Sequence, residues 1–205
     1  ITIGILPSGL TFEEFSPHRS IMVFTMFNII SAIGIFAFWI YLRKLKFSII
    51  LFFAAIFLLN FIYFMHMYII NYPFEKSHFL QYPFKEISQF AWSQYDNFHQ
   101  IVFDPQFGDI APQIGVGAHY FLAYYGNYPP AKFQKGYKLG SKPREIIFDK
   151  FSIRQVYWLD DRNLKDTLLI VSPWSVPEVD IQDKSKIIER FYFYNGKLAF
   201  YAIKL

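Results

Sequence analysis

Two long apolar segments dominate the first third of the chain. Ile21–Leu42 holds 22 residues without a formal charge, and Phe47–Ile70 holds 24. About 20 apolar residues in a helix cross the hydrocarbon core of a bilayer, whereas an isolated strand there would leave its backbone groups unpaired. Two core helices of a soluble protein would need cover on all sides, and the remaining chain is too short to provide it. The pattern therefore predicts two transmembrane helices within residues 21–70.

A short basic loop, residues 43–46 with the sequence RKLK, separates the two apolar segments. Short loops rich in lysine and arginine remain on the cytoplasmic side of a membrane. We therefore expect residues 43–46 in the cytoplasm, and residues 1–20 and the chain from residue 71 onward outside it. The predicted location is a bacterial plasma membrane, with the C-terminal domain extracytoplasmic.

The pattern changes to that of a soluble domain after residue 70. Residues 82–95 place apolar side chains on one helical face. Residues 115–130 predict a second helix, which ends at a glycine and a pair of prolines. Between the second helix and the next β-rich run, residues 131–145 predict a polar, basic connector.

Short runs of β-branched and aromatic residues predict the strands of this domain, at residues 100–105, 150–159 and 167–173. Asn195-Gly196 lies between two further β-rich runs, and this dipeptide favours a tight turn, so residues 186–205 predict a β-hairpin. Residues 71–205 are therefore predicted to form a small extracytoplasmic α/β domain with a mixed sheet and a C-terminal β-hairpin.

Composition narrows the class of protein. The chain has 205 residues and a formal net charge of +4, which is too mild a basicity to indicate a nucleic-acid partner. It has no cysteine, which excludes disulfides and thiolate metal sites and suits a domain of a bacterial cell envelope. The histidines lack the spacing of metal ligands.

Residues 1–20 have neither the basic start nor the long apolar run of a signal peptide. We interpret them as an extracytoplasmic loop. On this interpretation the chain is the C-terminal part of a longer membrane protein, and the remaining transmembrane helices of that protein are its partners.

Several stretches carry a family resemblance, in a fixed order. The first contains Pro7, Leu10 and Thr11, followed by Pro17-His18-Arg19, ahead of an apolar helix. The others are YPFKEISQFAWSQYDNFHQIVFDPQFG, HYFLAYYGNYPPAKFQ, TLLIVSPWSVPE and the closing Asn-Gly hairpin. Together they resemble the bacterial GT-C membrane glycosyltransferases of the dolichyl-phosphate-mannose–protein mannosyltransferase type. One departure is that some relatives have a second arginine two residues beyond the position of Arg19, where this chain has Ile21.

The resemblance implies an inverting enzyme that moves a sugar from a polyprenyl-phosphate donor to an acceptor in the cell envelope. It also implies that the catalytic acid lies in the first extracytoplasmic loop of the full protein, a region that these 205 residues do not contain. No catalytic residue is therefore assigned here. Any divalent metal of the full enzyme would be held elsewhere.

His18 and Arg19 are the candidate contacts to the donor phosphate. A leaving phosphate is stabilised by hydrogen-bond donors and positive charge, and the planar guanidinium matches phosphate oxygens. The other interpretation is that both side chains anchor the start of a helix at the lipid headgroups.

The connector supplies a second set of candidates. Its cations can contact anionic lipid headgroups or an acidic glycan, or they can belong to a solvated loop. These cations are Lys132, Lys135, Lys138, Lys142 and Arg144.

Acidic residues follow two predicted strands, Asp104 after the first and Asp160-Asp161 after the second. The carboxyl ends of strands are where sites gather in α/β sheets, but Asp-Pro and Asp-Asp-Arg-Asn are also ordinary turn sequences. Two other functions stay open beside the glycosyltransferase. One is a non-catalytic membrane-anchored domain that binds a glycan or a partner protein, and the other is the outer end of a transporter or polymer-assembly protein.

Overall fold

The computed structural model describes residues 21–42, 47–108 and 112–205, which form two compact units with a boundary between Met65 and His66. The predicted loops at 1–20 and 43–46 lie outside the described residues. The placement of His18 and Arg19, and the side of the membrane on which each loop lies, therefore stay predictions.

The first unit contains the apolar helices α1 (Ile21–Leu42) and the start of α2 (Phe47–Lys76). Helix α2 has 30 residues, and its most apolar 18-residue window has a mean hydropathy of 2.5 with no residue buried. Among the described residues, α2 is the one helix long and apolar enough to span a membrane. The described side chains of α1, from Thr25 to Tyr41, are also mostly apolar, and all of them are exposed.

Helix α2 extends beyond the predicted end at Ile70. It continues through a π-helical stretch, Met67–Asn71, into a final α-helical stretch, Tyr72–Lys76. Pro73 follows the π-helical stretch almost directly, at a point where the regular i→i−4 hydrogen-bond ladder of the helix is already interrupted. The proline therefore does not end the helix, although the sequence pattern had placed it beyond the end.

The second unit is an α/β domain. Helix α3 (Phe84–Ser93) precedes strands β1 (Gln100–Phe103), β2 (Gln106–Phe107) and β3 (Gln113–Ile114). Helices α4 (Ala118–Tyr125) and α5 (Pro130–Gly136) follow. The remaining elements are β4 (Lys138–Leu139), β5 (Ile146–Phe148), β6 (Phe151–Ile153), α6 (Trp158–Asp161), β7 (Thr167–Val171), β8 (Ile187–Tyr192) and β9 (Leu198–Lys204).

Seven strands form one mixed sheet in the order β4-β5-β6-β1-β7-β9-β8. Strand β1 pairs in parallel with both β6 and β7, and the other pairings in this sheet are antiparallel. Strands β8 and β9 form the predicted C-terminal hairpin, with Gly196 at φ +80° in the turn. The predicted mixed α/β domain is confirmed.

The connections after the parallel strands leave on opposite faces of the sheet. After β1 the chain forms α4, whose Ala118 and Leu122 join the core beneath α3. After β6 it forms α6, whose Trp158 packs against the core of the other face, where Val176 and Ile181 of the segment after β7 also lie. The connection after β1 therefore packs on one face of the sheet, and the connections after β6 and β7 pack on the opposite face.

Three local predictions were wrong in detail. The strand predicted at residues 150–159 ends at Ile153, and residues 158–161 are the helix α6. The second helix begins only at Ala118, because Gly117 takes the left-handed conformation at φ +72°. The predicted connector at 131–145 contains most of α5 and the edge strand β4. The basic residues of this segment did not prevent β4 from pairing with β5.

Candidate ligand clefts at the carboxyl edge of the sheet

Three polar residues lie where the parallel strands end. Asp104 follows β1, Arg154 follows β6 and Ser172 follows β7. Because the strands are parallel, these residues lie at one edge of the sheet. Crevices open at such an edge where neighbouring strands send their chains to opposite faces, and β1 has such a neighbour on each side.

Asp104 forms the floor of this edge and is fully buried. One carboxylate oxygen accepts the N–H of Gln106 at 3.0 Å, and the other accepts the N–H of Val156 at 2.8 Å. Burial raises the pKa of Asp104 to about 6, against the opposing effect of these two hydrogen bonds and of the Arg154 charge. The buried Ser175 hydroxyl also lies close enough to lower this pKa, although it falls short of hydrogen-bond geometry. Asp104 thus fixes the loops after β1 and β6 relative to each other.

Beside Asp104, Arg154 is the centre of a buried ion network. Its guanidinium donates to both carboxylate oxygens of Asp161, at 2.8 and 2.9 Å, and its Nε lies 3.5 Å from Glu145. Lys142 Nζ lies 3.0 Å from Asp161, and Ser152 donates to Glu145 at 2.6 Å. Two cations face two carboxylates, so the network is electrically balanced.

The two carboxylates of this network are held in the ionised form. Burial raises the pKa of Asp161, but hydrogen bonds from Arg154, the Tyr157 N–H and Lys142 outweigh it and leave the pKa below its ordinary value. The pKa of Glu145 is lowered in the same way, by Ser152 and the Lys142 N–H. The carboxylate oxygens of both acids are occupied by hydrogen bonds and ion pairs within the domain. This arrangement favours a structural role over acid–base catalysis.

The predicted basic residues do not form one cluster. Lys142 belongs to the ion network, and Lys132 lies 3.7 Å from Asp149 and over the ring of Tyr128. Lys135 and Lys138 are exposed on α5 and β4. The remaining cation, Arg144, is exposed beside a cleft described below.

The first cleft, the Trp174 cleft, has a volume of about 410 Å³ and opens at the end of β7, between the β2–β3 pair and the turn that joins β8 to β9. Trp174 supplies an aromatic wall and is 37 % exposed. Polar side chains complete the lining, among them Glu75, His78, Gln113, Asn195 and Lys197. Clefts of this size, with an aromatic wall and convergent polar groups, are typical of small-molecule sites.

The second cleft, the switch-point cleft, has a volume of about 360 Å³ and lies between the ends of β1 and β6. Its lining includes Gly117, Ala118 and His119 at the start of α4, together with Arg144 and Arg154. The other lining residues are apolar or uncharged, and no acidic side chain is among the described residues of the lining.

No group of three or more histidine, aspartate or glutamate side chains in the described parts of the chain could hold a metal ion. No protein-family model, curated protein or solved structure matches the chain. A functional proposal therefore rests on the geometry of the two clefts and on the resemblance of the sequence motifs.

Sequence reasoning missed Arg154, Glu145 and Trp174 as residues of this edge. Arg154 lay within a segment predicted as a continuous strand, and Trp174 within a Pro-rich turn. A usable signal was present for Arg154, because a charged residue in an apolar strand is rarely buried without a carboxylate partner. The partner, Asp161, could not be identified without the fold.

Proposed function

We propose that the chain is the C-terminal part of an integral-membrane glycosyltransferase that moves a sugar from a polyprenyl-phosphate donor to an envelope acceptor. The two apolar helices serve as transmembrane segments, and the α/β domain lies on the extracytoplasmic side. The domain contributes binding, and the catalytic acid belongs to a region outside these residues. The family resemblance of the sequence motifs supports the reaction class.

The observation that carries the proposal is the Trp174 cleft. A sugar ring has an apolar C–H face that packs on an aromatic wall, and hydroxyl groups that both donate and accept hydrogen bonds. Trp174 offers the wall, and the Glu75, Gln113 and Asn195 side chains offer acceptors and donors around it. A membrane-anchored domain with such a cleft is suited to holding the glycan end of an acceptor.

The test uses the complete enzyme in proteoliposomes with a polyprenyl-phosphate hexose as donor. We expect Trp174→Ala to raise KM for the glycan acceptor at least tenfold, with a smaller effect on kcat. The matched control is Trp158→Ala, because Trp158 packs against the core formed by Val176 and Ile181 and does not line the Trp174 cleft. Equal effects of the two substitutions would contradict acceptor binding in the cleft.

The donor side has its own test. Arg19→Ala in the complete enzyme should lower kcat/KM for the donor about ten- to a hundredfold, since a charge-assisted contact to phosphate contributes roughly 1.5–3 kcal/mol. Arg19→Lys should restore only part of the activity, because the planar fork is lost. Wild-type rates in Arg19→Ala would assign this residue to headgroup anchoring. Turnover by the 205 residues alone would contradict a catalytic acid located elsewhere.

One observation favours the second candidate, a non-catalytic membrane-anchored domain that binds a glycan. Three described carboxylates at the edge of the sheet are engaged: Asp104 by two backbone N–H groups, and Glu145 and Asp161 by the ion network. This function predicts saturable glycan binding by the complete protein without any consumption of donor.

A further inference from the structure

We propose that the switch-point cleft binds the phosphate group of a phosphorylated ligand, held by the first turn of α4, His119 and Arg144. This site is separate from the Trp174 cleft and does not depend on the transferase proposal. Its first support is topology. Strands β1 and β6 are parallel neighbours whose chains leave to opposite faces, and α/β proteins bind ligands in the crevice outside such a pair.

The second support is the start of α4. Gly117 caps this eight-residue helix in the left-handed conformation and supplies no side chain to accept from the first turn. Tyr120 and Phe121 both donate to the Gly117 carbonyl, whereas the N–H groups of Ala118 and His119 have no acceptor within the helix. Free N–H groups and the positive end of the helix dipole together favour an anion.

The third support is His119, which is independent of the helix terminus. Its side chain is only 9 % exposed and lines the cleft. The ring stacks on Phe133 at 6.3 Å between centroids, and within the described parts of the chain its nitrogens make no hydrogen bond. His119 is not among the described residues whose polar atoms are fully buried without a partner, so a ring nitrogen remains accessible, and a ligand oxygen in the cleft would accept a hydrogen bond from it.

Arg144 provides the charge. It is exposed at the rim of the cleft, and among the described residues it has no carboxylate partner. Its backbone is held at φ +56°, a conformation that costs an arginine free energy and that recurs at ligand sites. The neighbouring Arg154 contributes little net charge, because Asp161 and Glu145 already neutralise it. Among the described residues that line the cleft, the guanidinium of Arg144 is therefore the cation without a carboxylate partner.

The ligand is larger than phosphate alone. Apolar side chains from four segments line the remainder of the cleft, among them Ile114, Val116, Ile146 and Ile153. A phosphate monoester with an organic group fits this division into a donor-rich end and an apolar end. Two sources share this chemistry, a soluble sugar phosphate and a polyprenyl phosphate of the membrane.

The test uses the 205-residue chain in maltoside micelles, with calorimetric titration for affinity and ring NMR signals of labelled histidine for location. The probes are inorganic phosphate, glucose 1-phosphate, a polyprenyl phosphate and, as the uncharged reference, glucose. We expect the three phosphates to shift the His119 ring signals and raise its pKa, and glucose to leave them unchanged. The phosphate probe that saturates at the lowest concentration identifies the source.

Arg144→Gln should weaken binding of the phosphate probes at least tenfold, and Arg144→Lys should weaken it less. The matched control is Lys138→Gln, which removes another exposed cation that lies outside the cleft, and it should change affinity less than twofold. The probes lose a negative charge as the pH falls from 7 to 5, which weakens binding to wild type and variant alike, so His119→Gln should bind more weakly relative to wild type at pH 5 than at pH 7. An unchanged tryptophan-detected unfolding midpoint in Arg144→Gln would exclude misfolding.

Three results would overturn the proposal. They are the absence of any His119 shift at saturating phosphate, equal binding of glucose and glucose 1-phosphate, and equal weakening by Arg144→Gln and Lys138→Gln. None of these assays measures sugar transfer. A negative result would therefore overturn the phosphate site without bearing on the proposed glycosyltransferase activity. Phosphate binding without transferase activity would support this site and count against the transferase.

Discussion

Asp104 makes the stability of the α/β domain depend on pH in a direction opposite to most carboxylates. Burial raises its pKa from the ordinary 3.8 to about 6, so the folded domain binds this proton more tightly than the unfolded chain. The stabilisation is therefore fully present below pH 3.8 and is lost as the pH rises through 6. Between pH 5 and pH 7 the loss from this group amounts to about 1.3 kcal/mol.

The perturbation is Asp104→Asn, which removes the titration. An asparagine offers one acceptor oxygen, so it can satisfy the N–H of either Gln106 or Val156 but not both. The unmet donor costs about 1–3 kcal/mol at every pH. Against this constant cost, wild type should gain about 1.3 kcal/mol over the variant as the pH falls from 7 to 5.

Other groups titrate in or near this range, and comparison with the variant removes them. Burial lowers the pKa of His119, so its contribution to stability is lost as the pH falls through its ordinary value of 6.5. Asp161 and Glu145 have lowered pKa values and lose their stabilisation at more acidic pH, as the pH falls through and below their ordinary values near 4. All three groups are present in both proteins, so the difference in free energy of unfolding isolates Asp104.

The assay is urea unfolding of the chain in maltoside micelles at pH 5, 6 and 7, followed by tryptophan fluorescence. A Trp39→Phe background removes the tryptophan of helix α1, so that the signal reports on the α/β domain alone. A wild-type-minus-variant difference that stays the same from pH 5 to pH 7 would refute a raised pKa for Asp104.

Three further predictions concern the ion network, the hairpin and the topology. Arg154→Met leaves two buried carboxylates without their partner and should lower the free energy of unfolding by about 3–5 kcal/mol in urea titrations, whereas a loss below about 1 kcal/mol would indicate that water solvates them. Gly196→Val should cost at least about 1 kcal/mol in the same assay, and Gly196→Asn less, because asparagine tolerates positive φ; equal costs would exclude a backbone cause. In intact cells of the Leu45→Cys and Ser141→Cys variants, a membrane-impermeant thiol reagent should label only Ser141→Cys, and labelling of Leu45→Cys alone would reverse the orientation. The neighbouring Gly140 is unsuitable as the outer cysteine position, since a Cβ there would collide with the Glu145 carboxylate.

The sequence by itself determined the features that local patterns encode. Apolar runs of more than 20 residues predict long apolar helices wherever they occur, and the structure has helices at both positions. Asn195-Gly196 determined the hairpin, because a glycine that accepts positive φ specifies the turn before any strand has paired. Likewise the short strand around Val102 follows from an apolar run that a proline ends.

Only the tertiary structure decided the candidate sites. The sequence offered Asp160 and Asp161 as an equivalent pair after a strand, yet Asp160 is exposed and Asp161 is buried against Arg154. Neighbouring residues of a helix point about 100° apart, so the choice between them needed helix α6, which the strand prediction did not contain. The clefts depend on contacts that are still more distant in sequence. Strand β1 pairs with β6 and β7, which follow it in the chain by some 50 and 65 residues. Each connection packs on the face of the sheet where its apolar side chains are buried, Leu122 on one face and Val176 on the other. A local sequence pattern does not specify which face that is.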